Sequence, residues 1–287
     1  MIRLHLCTIS FRHHLVSLPE LVAWANRSGF DGIELWGVHA RHLLEHAAID
    51  GEWIRRQGLT IPMLSDYLPL EGPERDALVF TQRLCRLARH WGADKIRTFA
   101  GHRPSAGLST DERAGMARRL RRLTECVAQE GLTLVVETHP NTLADNLRST
   151  QALLDAVDHP ALGVNFDVLH VWEAGTDPLR ALRELAPWVH HFHFKNIARR
   201  SQLPVFAPAN VYSPAGCREG MVPVLEGACD YGPILEWLAV RPESTPLDVS
   251  LEWFGPDCHA VLQEDLRQLR ARLSLEQRVV HSAVACH

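Results

Sequence analysis

A chain of 287 residues, 46% hydrophobic and 22% charged, has the apolar content of an ordinary soluble protein and the length for one sizeable core. Its formal charge of −4 excludes a dedicated nucleic-acid or polyanion binder, and no apolar run approaches the ~20 residues that a membrane span needs. The opening Met1-Ile2-Arg3-Leu4-His5-Leu6 is too short for a secretion signal, so a cytoplasmic location is expected.

In chain order the sequence alternates short apolar strands with amphipathic helices. Strands are predicted at 3–9, 31–36, 59–65, 94–99, 132–138, 162–167, 189–194 and 247–253. Runs such as Leu132-Thr133-Leu134-Val135-Val136 suit a parallel sheet covered on both faces. After the first strand, Ser17-Leu18-Pro19-Glu20 reads as a capping box, and Gly29 follows as a left-handed stop. Gly92 closes the helix before the fourth strand. Ser109-Thr110-Asp111-Glu112 opens the next helix and Gly131 ends it. Asp177-Pro178 then caps the helix between the sixth and seventh strands. Repeated strand-helix units predict a single (β/α)8 TIM barrel over 1–275, in the α/β class, with a tail over 276–287. The rival, a doubly wound open sheet, would need a glycine-rich phosphate turn after the first strand, and none is present. Residues 196–229 are rich in proline and glycine and lack a helical period, which suggests a lid over the mouth. The seven cysteines are scattered and odd in number, so free thiols are expected.

Barrel enzymes carry their chemistry at the C-terminal ends of strands. Those ends hold Glu34, Asp66, Arg97, Glu137, Asp167, His193 and Glu252. A row of buried carboxylates is costly unless something compensates it, and a divalent cation does so. Glu137, Asp167, His193 and Glu252 close strands five to eight, which are neighbours around a barrel, and so form the expected metal site. Three carboxylates and one imidazole suit Mn²⁺ first, with Mg²⁺ or Co²⁺ as alternatives. The strand period of two adds His139, Lys195 and Phe254 on the same faces. With Arg97 and Lys195, a site holding a +2 ion becomes net positive, so the expected partner is a small anionic molecule rather than nucleic acid or membrane. Arg97 carries the planar fork that fits a carboxylate. His13, Tyr67, Trp172 and Tyr212 are further candidates for the walls of the cleft. A homo-oligomer is left open.

These residues resemble the xylose-isomerase-like TIM barrel superfamily and, within it, the petrobactin-type 3-dehydroshikimate dehydratase family. The resemblance rests on Gly32-Ile33-Glu34-Leu35-Trp36-Gly37, Lys95-Ile96-Arg97-Thr98-Phe99 and Glu137-Thr138-His139-Pro140-Asn141-Thr142. It continues in His191-Phe192-His193-Phe194-Lys195-Asn196, Asn210-Val211-Tyr212 and Leu251-Glu252-Trp253-Phe254-Gly255. It implies a hydro-lyase that converts 3-dehydroshikimate to protocatechuate and water through a metal-stabilised enolate, in siderophore biosynthesis or aromatic-compound metabolism. On that reading His139 is the first choice for general base. Lys195 stabilises the oxyanion or protonates the leaving hydroxide, Arg97 holds the ring carboxylate, and Glu34 is a possible second acid or base. The alternative is a sugar or keto-acid isomerase or epimerase on the same metal site. For a neutral sugar, however, no arginine is required.

Overall fold

Eight parallel strands close into a barrel in which each pairs with its chain neighbours and the last returns to the first. They are Ile2–Cys7, Gly32–Trp36, Met63–Ser65, Lys95–Thr98, Thr133–Glu137, Leu162–Asp167, Val189–Phe194 and Leu247–Leu251. The structure is a computed structural model that describes residues 2–44, 48–241 and 246–285, with side chains described as far as residue 277. Closure excludes the open doubly wound sheet.

Every predicted strand is present, with two informative differences in length. The third begins at Met63 rather than 59, and only an isolated Thr60–Gly32 bridge precedes it. Pro62 lacks the N–H that a continuous ladder would require there. The eighth ends at Leu251, although Glu252 N still donates to Phe194 O at 3.0 Å and holds the next residue in line.

Helix ends follow the sequence signals. Ser17 and Ser109 each form a complete capping box with Glu20 and Glu112, and Asp177 accepts from Arg180 N. Gly29 and Gly92 stop their helices at φ of 89° and 72°, a region that side chains with a Cβ rarely enter. The segment expected to be a tail from 276 instead continues the last helix, which runs Cys258–Ala285. Among the described residues no helix is long and apolar enough to cross a membrane.

The barrel interior is more polar than the branched aliphatic layers usual for this architecture. Near the strand starts, buried Asp248 accepts from Arg3 Nε at 2.7 Å and from Lys95 Nζ at 2.8 Å, and pairs with His5 Nε2 at 2.8 Å. Burial opposes its charge, but His5 and Lys95 outweigh that and hold its carboxyl well below the usual range.

Residues 196–229 fold across the mouth of the barrel. Asn196–Ile197 and Met221–Val222 form a small antiparallel sheet, and a 3-10 helix (Arg200–Phe206) leads into a short helix, Pro208–Val211. Buried Asn196 ties the base of the loop, donating to Val224 O at 2.7 Å and Cys229 O at 2.9 Å. At the tip, Arg12 and Arg218 both donate to the Val211 carbonyl.

Candidate active site

Strand register brings the expected metal ligands together. Asp167 pairs with His193 across strands six and seven, and His193 with Ser250 across seven and eight. Glu137 ends strand five on one side, and Glu252 follows strand eight on the other. All four are buried, with exposures of 0–5%. His193 Nδ1 lies 3.5 Å from Glu137 Oε1 and 3.5 Å from Glu252 Oε1. Donor atoms of Asp167, His193 and Glu252 lie within 4.8 Å of one another, as do those of Glu137, Asp167 and His170.

Charge and hydrogen bonding decide what this cluster can hold. Among the described residues, Glu34, Glu137, Asp167 and Glu252 meet only two permanent cations. Arg97 Nε is 3.1 Å from Glu137 Oε2, and Lys195 Nζ is 2.6 Å from Asp167 Oδ2 and 2.7 Å from Glu252 Oε2. Burial opposes charge on His193, yet Glu34, Glu252 and Glu137 outweigh it and hold the imidazole pKa well above its usual value. His193 Nδ1 is nevertheless buried without a hydrogen-bond partner. With His193 neutral, as a metal ligand must be, the four carboxylates outnumber the two fixed cations by two and its orphaned nitrogen faces carboxylates, so the residues fit a divalent cation.

Above this cluster lies a narrow cleft of about 50 Å³ lined by Tyr67, Arg97, His139, Lys195, Tyr212 and Phe254, all anticipated from the sequence. His139 Nδ1 donates to Pro140 O at 2.8 Å, because a carbonyl can only accept. Its Nε2 is therefore the bare, accepting nitrogen. Burial and neighbouring His170 push the His139 pKa down to about 3, so the ring is neutral at physiological pH. For Lys195 burial opposes the charge, but Asp167 and Glu252 prevail and raise its pKa, so it remains an ammonium. Tyr67 and Tyr212 join hydroxyl to hydroxyl at 2.5 Å across the mouth.

Three expectations need correction. Glu34 does not reach the cleft. It is fully buried beneath His193, with Ser65 Oγ donating to one oxygen and His193 Nε2 held 2.8 Å from the other. His13 is exposed outside the cleft, its ring 3.4 Å from Val211 O. Trp172 also lies outside, stacked under Arg200 at 4.2 Å. Asp66, another strand-end acid, pairs with Arg41 and caps Tyr67 N rather than joining the cluster.

The cleft also contains residues that were not anticipated. Phe99 lies between Arg97, whose guanidinium is 5.0 Å from its ring, and His139, whose ring is 4.2 Å away. The period of two that selected His139 would have selected Phe99 from Arg97. His170 sits three residues after Asp167 on the helix that Asp167 caps, with Nδ1 2.8 Å from Glu173. Ile9, Phe206, Pro208 and Val211 line the wall from outside the barrel strands, and no local pattern marks them.

The fold and the strand-end cluster define a class. The family described as xylose isomerase-like TIM barrel matches residues 22–272, and the chain belongs to it. Among particular relatives, it is 43% identical to the 3-dehydroshikimate dehydratase of Bacillus anthracis over 273 residues, which is 93% of this chain and 96% of that protein. The crystal structure of the probable 3-DHS dehydratase AsbF involved in petrobactin synthesis, from the same organism, superposes with a TM-score of 0.88 at 42% identity, covering 93% of this chain and 98% of that one. An L-ribulose 3-epimerase at 17% identity superposes with a TM-score of 0.73, covering 99% of this chain and 98% of that one, and shares the fold.

Proposed function

We propose that this chain is a 3-dehydroshikimate dehydratase, a hydro-lyase that forms protocatechuate and water. The observation that carries the reading is 43% identity across 93% of the chain to a protein of that activity. The geometry supports it, since the cleft offers a neutral base, two fixed cations and aromatic walls suited to a small anionic ring.

A divalent cation, Mn²⁺ first, would be held by Glu137, Asp167, His193 and Glu252, and would supply positive charge that lowers the cost of charge developing on the substrate ketone oxygen. His139 Nε2 takes the proton α to the ketone. Electrons from that C–H bond form the enolate, and the β C–O bond breaks as the enolate collapses. The departing hydroxide takes a proton from the imidazolium and leaves as water. The remaining dienone tautomerises to the aromatic product. Arg97 receives the ring carboxylate, with Tyr67 at 5.1 Å and Phe99 at 5.0 Å holding its plane. Lys195 stays protonated, so its part is to hold negative charge rather than to take a proton.

Purified protein should be offered 3-dehydroshikimate, an uncharged inosose and a neutral ketose, with products identified by chromatography. Protocatechuate from the first substrate alone is the expected result. Isomerised ketose with no protocatechuate would establish the isomerase reading instead.

A further inference from the structure

We propose that Glu34 is a positioning residue for the cation site, committing His193 to bind through Nδ1 rather than Nε2. The inference rests on the cation reading above and concerns how the chain prepares its one nitrogen ligand.

An imidazole has two nitrogens, and which one ligates is set by the hydrogen bond that the other makes. His193 Nε2 lies 2.8 Å from Glu34 Oε2, and an ionised carboxylate can only accept, so the proton sits on Nε2. In the neutral imidazole that a metal ligand must be, Nδ1 then carries the lone pair, on the side 3.5 Å from Glu137 and 3.5 Å from Glu252, and a cation there would replace the Nδ1 proton that those carboxylates favour in its absence. Glu34 comes from strand two, across the barrel from the strands that supply the ligands. It is itself held fast. Ser65 Oγ donates to its other oxygen, and His191 Nε2 stands 3.5 Å from Oε2 while hydrogen-bonding Ser250 Oγ at 2.8 Å. Without Glu34, the Nε2–H of His193 would be buried with no acceptor, and the ring would lose its preferred tautomer. A fully buried carboxylate that serves no cleft contact thereby acquires a function.

Three measurements test this: Mn²⁺ titration by calorimetry, kcat at saturating Mn²⁺, and nitrogen NMR of the cadmium-loaded protein. The wild type should show cadmium coupling to His193 Nδ1 and a hydrogen-bonded Nε2–H. Glu34→Ala should weaken Mn²⁺ binding about 10–100-fold, with Glu34→Gln intermediate, and saturating Mn²⁺ should largely restore kcat. Coupling to Nε2 in the wild type would overturn the proposal, and that result stands even if Glu34→Ala does not fold. Unchanged Mn²⁺ affinity with kcat still low at saturation would also overturn it, making Glu34 an acid or base. A wild type that binds no cation would instead overturn the cation reading on which this one rests.

Discussion

His139 and Arg97 show how far one side chain can be argued from its neighbours. The Pro140 carbonyl fixes the His139 tautomer, so Nε2 is the accepting nitrogen of a ring that lines the cleft. His139→Asn should lower kcat by roughly 10²–10⁴-fold with Mn²⁺ affinity nearly unchanged. If His139 merely oriented Glu137, Mn²⁺ affinity would fall about 10–100-fold and excess ion would rescue the rate. Arg97 serves two partners, since Nε faces Glu137 while the guanidinium lines the cleft. Arg97→Lys keeps the charge beside Glu137 and loses the fork. Steady-state kinetics should show a raised KM with kcat less affected, a loss of about 2–4 kcal/mol in kcat/KM. Unchanged KM would remove the carboxylate clamp. Both residues were legible because strand ends and a period of two select them. The position of Glu34 was not, because its partner His193 lies 159 residues away and no local spacing encodes that pairing.

At the scale of elements, the loop over the mouth is a clamped roof with identifiable anchors. Its composition announced an irregular segment, but its contacts with the barrel depend on tertiary partners such as Arg12 and the last helix. One anchor is titratable. Asp265, on the helix Cys258–Ala285, is buried and accepts from Val224 N at 2.8 Å. Burial pushes its carboxyl up to about 7, aided by Glu226 and Glu264 and opposed by the Val224 N–H. The unfolded value is about 3.9, so the folded state keeps the proton to higher pH. Stability from this group is therefore fullest below about pH 4 and falls as pH rises towards 7. Asp265→Asn retains an acceptor and removes the ionisation. Urea unfolding should find the variant stabilised at about pH 8, by up to ~4 kcal/mol, and nearly equal to wild type at about pH 4. A gain of the same size at both pH values would contradict this origin.

Over the whole molecule, buried charge connects fold to function. The eight strands were legible because short β-rich runs, several of them almost wholly apolar, alternate with helices whose ends are marked, and the metal quartet because acids at buried strand ends have few structural explanations. The cleft wall was only partly legible, since Phe206, Pro208 and Val211 reach it through the path of the roof rather than through any periodicity. The barrel gathers four carboxylates around two fixed cations and leaves His193 Nδ1 orphaned, and on the proposed reading a divalent ion would complete that balance. Chelation should therefore destabilise the protein as well as silence it, visible as a lower Tm that Mn²⁺ restores. The most direct measurement follows protocatechuate absorbance after 3-dehydroshikimate is mixed with chelator-treated protein, before and after Mn²⁺ is added. No turnover in the metal-free protein and rapid product formation once Mn²⁺ is present are expected; undiminished turnover without the ion, or none with it, would contradict a metal-dependent dehydratase.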